Sequence, residues 1–449
     1  MEIGTRNGMV RIFFGFLACI LMGSCNVPVQ VRGVTLVPPP TNIPETQIPS
    51  ATAIPSPSPA PAVTQTTMPT ETPLRSQTPA ILRMLDIHIG WMVTVDGVVM
   101  RTETGTDGWK NVTPLKAPLP QGEAVAQLPA VYFLSGTHAW LAYSSPDAAG
   151  LYILRTSDGG QTWLEDSNLP QVDYGGSITP VSMQFLNTQN GWLWAQIYPG
   201  MNHVYPVLFH TTDNGQNWQI VYDPRPSADE PNESLKGAYS LSFGTQLFTF
   251  LDAMDGFAGT GFLQATHDGG KTWTTISLQK PEGLPQIVQP YVYVAPPVFC
   301  GSKDGVAPVF VYDFESVYSP PGDMFNGYPK AFYLAWTHNG GKSWNPKTMP
   351  APMGTFSLIN GNTAWFLGKN DPDPNVPARL FITLDGGDTW DPWGESSPLP
   401  LGSQLQFINR FTGYAIAPEY GGKRLFKPFD SRLGDGGYLY QVGDWSRVN

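Results

Sequence analysis

Cysteine is nearly absent from this chain, with three in 449 residues: Cys19, Cys25 and Cys300. Two of them stand close to the N-terminus, so no disulfide framework is expected in the folded body and packing must hold it. Cys300 is read as a buried small apolar residue. Charge is scarce too, at 14% of residues, and basic charge is scarcer, with 25 Lys+Arg against 36 Asp+Glu and a formal net charge of -11. That balance excludes a general nucleic-acid binder, which needs clustered cations. The six histidines show no metal-ligand spacing, and no nucleophile elbow, phosphate loop or nucleotide fingerprint is present. No cofactor and no metal are therefore expected. What is abundant is Gly (47), Pro (45) and Trp (14). The chain is too rich in turn formers for a helical bundle and too aromatic to be disordered throughout. Many short strands joined by turns fit best.

The N-terminus reads as an export signal over residues 1–24. Arg6 and Arg11 precede an apolar run from Ile12 to Leu21 that is too short to span a bilayer. Met22-Gly23-Ser24-Cys25 follows and resembles a bacterial lipobox, which makes Cys25 the expected lipidation site. Residues 26–80 hold thirteen Pro, ten Thr and no aromatic residue. Such a segment cannot bury enough apolar surface to fold. Residues 25–80 are read as a lipidated cysteine and a disordered Pro/Thr-rich tether, placing the remainder outside the cytoplasm at the bacterial envelope, with the lipid as its contact with the membrane.

Residues 81–449 repeat themselves. Five segments follow T-x-[DN]-[GN]-G-x-[TSN]-W: Thr156 to Trp163, Thr211 to Trp218, Thr266 to Trp273, Thr337 to Trp344 and Thr383 to Trp390. Degenerate copies end at Trp109 and Trp445. A second pattern alternates with the first: an apolar residue, then Gly or Ala six positions on, then an aromatic except at Val306. Phe133/Ala139-Trp140, Phe185/Gly191-Trp192 and Phe407/Gly413-Tyr414 are examples. Each pattern occurs seven times. Each unit has room for four short strands, and radial stacking of such sheets buries both their faces. The predicted fold is all-β: a seven-bladed β-propeller of four-stranded blades. The T-x-D motif is expected on strand A and the start of strand B, the G-W motif between strands C and D. Within the first motif Gly supplies positive φ, Asp or Asn accepts backbone N–H bonds, and Trp covers the hairpin. Asp158, Trp163, Asp213, Trp218, Asp268, Trp273, Asn339, Trp344, Asp385 and Trp390 are thus read as structural turn residues, not catalytic ones.

These segments resemble Asp-box (BNR) repeats, found in sialidases, sortilin-type receptors and xyloglucan-cleaving propellers. Combined with the G-W motif they are most similar to the photosystem II assembly and stability factor propeller family. The resemblance implies a non-catalytic scaffold. Its photosystem-docking members are implied to use a basic surface, whereas this body has nine scattered Arg and is acidic, so a different client is expected.

An enzyme is the competing reading, either a glycoside hydrolase or a sialidase-like protein. A sialidase needs an arginine triad and a Tyr/Glu nucleophile pair. The first unit reads Leu82-Arg83-Met84-Leu85 in place of the usual Arg-Ile-Pro. A glycoside hydrolase needs two carboxylates across a cleft, for which Asp313 and Glu315, on one side of the chain if it is extended, are the candidate pair. The favoured reading is binding. Insertions cluster on the end of the blades opposite the two motif turns, where long loops on a rigid scaffold carry recognition. Tyr198, Tyr205, Tyr312, Asp313, Glu315, Tyr318 and Tyr328 are the candidate contacts, since tyrosines suit protein or sugar surfaces. Asp371 to Val376 is read as a loop. The expected partner is a protein or glycan of the envelope, and the protein is expected to be a monomer.

Overall fold

The computed structural model describes residues 79–426 except 106–107, 120–127, 146–149, 166, 171–175, 201–202, 225–247, 260, 289, 314–328, 371–375, 395–396, 398, 400–402 and 420–421. Cys25, most of the predicted tether, Trp445, Glu315, Tyr318, Tyr328 and the Asp371 loop lie outside the described residues. Strand pairing begins at Pro79, two residues before the predicted start of the folded body.

The chain is an all-β propeller, and its strands fall into seven antiparallel sheets. Sheet one holds β1 (Pro79–Met84), β2 (Gly90–Thr94), β3 (Val99–Thr102) and β4 (Lys110–Asn111). Sheet two holds β5 (Ala130–Phe133), β6 (Ala139–Ser144) and β7 (Leu151–Thr156). Sheet three holds β8 (Ser177–Phe185), β9 (Gly191–Gly200), β10 (His203–Thr211) and β11 (Gln219–Tyr222). Sheet four is the shortest along the strands: β12 (Phe248–Phe250), β13 (Gly256–Gly259), β14 (Leu263–Thr266) and β15 (Thr274–Ile276). Sheet five has five strands, because β16 (Pro290–Val294) and β17 (Val298–Cys300) both pair with β18 (Asp304–Asp313), followed by β19 (Ala331–Thr337) and β20 (Asn345–Thr348). Ala295-Pro296-Pro297 separates β16 from β17, and proline cannot donate to a ladder. Sheet six holds β21 (Met353–Leu358), β22 (Ala364–Lys369), β23 (Arg379–Thr383) and β24 (Asp391–Trp393). Sheet seven holds β25 (Gln404–Asn409), β26 (Thr412–Glu419) and β27 (Gly422–Phe426). Uniform four-stranded units are thus not met among the described residues: sheets two and seven have three strands and sheet five has five.

The motifs take the opposite phase to the one predicted. Phe185 pairs with Gly191 at the β8–β9 turn, so the G-W motif joins the first and second strands. Thr211 ends β10 and Trp218 immediately precedes β11, so the T-x-D motif joins the third and fourth. The long connectors fall after the T-x-D hairpin, and a sheet ends where its connector begins. Both turns still share one end of the sheet. Gly159 N–H donates to the Thr137 carbonyl (2.9 Å), Gly269 to Met254 (3.0 Å), Gly340 to Lys303 (2.9 Å) and Gly386 to Asn362 (2.9 Å). In each pair a T-x-D turn bonds the G-W turn of its own sheet.

Seven apolar clusters fill the seams between consecutive sheets, and the last of them joins sheet seven to sheet one. The G-W motif explains how. Trp140 of sheet two stacks on Phe185 of sheet three at 3.6 Å between ring centroids, and Trp192 on Phe250 of sheet four at 3.9 Å. Trp91 on Phe133 and Trp365 on Phe407 repeat the contact at 5.1 and 4.6 Å. The other face of the Phe185 ring rests on Gly191, where a Cβ would come within 2.4 Å of it. The glycine therefore makes room for a ring held between two sheets. Stacked pairs of this kind add to the stabilisation from burial alone. Among the described residues no helix is long and apolar enough to cross a membrane.

Candidate functional site

The most repeated polar chemistry lies in the T-x-D turns, where it closes hairpins. Thr156 Oγ1 donates to Asp158 Oδ1 (2.8 Å) and accepts the Gly160 N–H (2.9 Å). Asp158 also accepts from the Thr162 N–H (2.9 Å) and hydroxyl (2.6 Å). Asp213, Asp268 and Asp385 repeat the arrangement with Asn217, Thr272 and Thr389. Asn339 reproduces it with an amide, donating to Ser343 Oγ (2.8 Å). The Thr162 hydroxyl and N–H hold the Asp158 carboxyl down to about 2, and the Thr389 bonds do the same for Asp385. At Asp268 partial burial acts upward but the Thr272 bonds outweigh it, again giving about 2. At Asp213 burial likewise opposes the Asn217 bonds, and the net shift is downward. Carboxylates so held stay ionised at neutral pH and are poor general acids.

The motif tryptophans do not share one environment. Trp218 is buried, while Trp163, Trp273, Trp344 and Trp390 are half-buried. The indole N–H of Trp218 donates to Gly215 and that of Trp273 to Gly270, each at 2.9 Å, whereas Trp163 reaches Val112 of sheet one at 2.7 Å. Asn214 takes the glycine position of its turn with φ 67, a conformation asparagine tolerates. His267 and His338, in the second position of their motifs, are exposed and bond Asp255 (2.7 Å) and Asp304 (2.8 Å) of the adjacent G-W turns. Among the described residues no three His, Cys, Asp or Glu are grouped to hold a metal ion.

The described candidate contacts at the opposite end face different seams. Tyr198 lies on the same side of β9 as Trp192 and Trp194, which pack against sheet four. It is 40% exposed, and its hydroxyl bonds Gln196 Oε1 at 2.6 Å. Tyr205 packs into the seam with sheet two. Tyr312 faces sheet six, with its ring 6.4 Å from that of Tyr291. Asp313, next in sequence, falls on the side of β18 shared by Val309 and Val311, which meet sheet four. Strand alternation and pairing thus send the described candidates to different seams. Cys300 ends β17 half-buried and packs against the cluster between sheets five and six.

Sequence reasoning missed two sets of residues. Gln184 and Gln406 each precede the motif phenylalanine by one position. Each side-chain amide bonds both backbone groups of a residue in the next sheet: Gln184 those of Phe250 (2.7 and 3.0 Å), Gln406 those of Met84 (2.8 and 2.6 Å). The residue after each motif apolar position forms a second series, including Leu85, Leu134, Leu186, Leu251, Ile359 and Ile408, each packed against a different seam. Aligning the seven G-W copies one residue to either side would have exposed both.

No family model matches the chain. Over 72 residues it is 35% identical to the photosystem II stability/assembly factor HCF136 of Arabidopsis thaliana, a match covering 16% of this chain and 16% of that protein. The chain thus spans about a sixth of the length of the curated relative it matches. A structure of YCF48 bound to a D1 peptide is similar with a TM-score of 0.45 and 16% identity, covering 82% of this chain and 95% of that one. An ulvan lyase of polysaccharide lyase family PL25, bound to -[GlcA(1-4)Rha3S]-, has a TM-score of 0.45 and 9% identity, covering 80% and 90%.

Proposed function

We propose that this chain is a seven-bladed Asp-box propeller, lipid-anchored through Cys25 outside the cytoplasm. On this reading it acts as a monomer and binds a protein or glycan of the envelope without catalysis, through the end opposite the motif turns. One observation carries the reading: the repeated carboxylates are committed to turn closure, while the other end carries a long hairpin with an exposed tyrosine. Asp158 and Asp385 each accept three bonds from their own turn and Asp268 accepts four. β9 and β10 run well past the height of sheet four and present Tyr198 at 40% exposure. An exposed aromatic on a rigid hairpin is a common recognition element.

The full-length chain, immobilised and exposed to extract of its own envelope, should retain a discrete protein or glycan. Tyr198→Ala should release it, and Asp268→Asn on the turn end should not. Retention unaffected by Tyr198→Ala but lost on changing the turn end would overturn the assignment of faces. Turnover of a glycoside substrate by the same preparation, abolished by Asp313→Asn, would replace binding with hydrolysis.

A further inference from the structure

The seams of the ring are not equivalent. Every other seam is crossed by the chain itself, whereas the seam between sheets seven and one joins residues more than three hundred positions apart. Among the described residues no strand is exchanged across it: β1 pairs with β2 and β25 with β26. Its packing is also different. Sheets two, three, four, five and seven place Phe133, Phe185, Phe250, Phe299 and Phe407 at the first G-W position and sheet six places Leu358, but sheet one has Met84, set against Tyr414. The stacked ring pair found at four of the continuous seams described above is thus missing. A small cavity lies beside it, lined by Leu82, Gln404, Leu405, Gln406, Tyr414 and Ile416. Gln404 Oε1 is buried without a hydrogen-bond partner there. An unmatched buried acceptor and a gap both weaken an interface.

Against this stand the two bonds from Gln406. Its carbonyl accepts the Met84 N–H at 2.8 Å and its amide donates to the Met84 carbonyl at 2.6 Å. The Tyr414 hydroxyl adds a longer bond to the Ile87 carbonyl at 3.4 Å. The amide thus satisfies both backbone groups of Met84 that point away from β2, on the side where β1 has no strand neighbour among the described residues. We propose that the seam between sheets seven and one is a built-in opening point of the propeller ring, clasped by Gln406. Gln184 makes the same pair of bonds between sheets three and four, but there the chain continues across and Trp192 stacks on Phe250. The same clasp therefore guards a seam that the chain crosses in one place and, in the other, a seam across which the described residues exchange no strand.

Hydrogen exchange of the full-length chain, read by mass spectrometry on peptides covering β1–β3 and β25–β26, tests this. Gln406→Leu leaves the Met84 N–H and carbonyl buried and unpaired, and should speed exchange in both sets of peptides together by about tenfold or more. Gln184→Leu should speed exchange near β8 and β12 alone. Met84→Phe supplies the missing ring opposite Tyr414 and should slow exchange in β1 and β25 below the unaltered protein. Equal release of sheets one and seven by Gln184→Leu would overturn the proposal. So would unchanged exchange in Gln406→Leu. If Gln406→Leu fails to fold, Met84→Phe decides, because no slowing there means the seam was not open to begin with.

Discussion

The two ends of the sheets solve different problems. At the turn end, each T-x-D hairpin closes by the same bonds and docks on the G-W turn of its own sheet. At the other end the sheets stop at different heights: β13 has four residues, while β9 and β18 have ten. Repetition fits a stability role, since each unit needs the same closure. Irregularity at the opposite end is free of that demand, because strand extensions beyond the common core can vary without disturbing the seams.

The largest effect that bears on this contrast should come from the ring locked between sheets. Phe185 lies on Gly191 and under Trp140. Phe185→Ala should cost about 3–5 kcal/mol, as for other buried aromatic truncations, seen as a lower urea midpoint. A loss below about 1 kcal/mol would mean that the stacked relay does not lock the seam. Next comes turn closure. Thr266 is 1% exposed, and its hydroxyl accepts the Gly270 N–H while donating to Asp268. Thr266→Val preserves shape but strands that N–H, so a cost of about 1–3 kcal/mol is expected in the same experiment. If a substitution at the far end, such as Tyr198→Ala, cost as much, the division between the ends would fail.

Acid probes the turn end as a set. The folded values of Asp158, Asp268 and Asp385 are about 2, below their ordinary 3.8. A depressed carboxylate stabilises the fold above its unfolded value, and that contribution is lost as pH falls through the folded value. The loss should therefore run from about pH 4 down to about pH 2. Replacing all three by Asn should flatten the fall of the urea midpoint across that window. These groups are solvent-accessible, so the change should be smaller than that of Thr266→Val. An unchanged slope would mean that the turn bonds do not favour the ionised form.

How much of this was legible depended on how local the chemistry was. The T-x-D turn is written within eight residues: Thr, Asp, Gly and Trp meet inside one hairpin, so spacing alone announces it. The all-β class and the propeller followed from its repetition. The phase of the motifs was not legible, because alternating copies do not say where one sheet stops; the connectors decide that. The partner residues were least legible. Tyr312 and Asp313 are adjacent in sequence but face sheets six and four, and only the pairing of β18 with its neighbours fixes which is which. The Gln406 clasp joins residues 322 positions apart, a relation that no local pattern encodes.

Tyr198 should give the smallest effect on stability and the sharpest test of the far end. Its ring is 40% exposed and its hydroxyl bonds a neighbour on its own strand, Gln196. Tyr198→Ala removes no ring from a seam and strands no backbone group, so its urea midpoint should shift by no more than about 0.5 kcal/mol. If the far end is the recognition surface, the same substitution should weaken partner binding at least tenfold, about 1.4 kcal/mol, whereas Tyr198→Phe keeps the ring and should lose less. Full binding by Tyr198→Ala, with stability intact, would remove the exposed tyrosine as that end's contact and shift attention to the turn end, where His267 and His338 are also exposed. One variant read twice, by denaturation and by binding, thus separates a surface built to hold the ring from a surface built to hold something else.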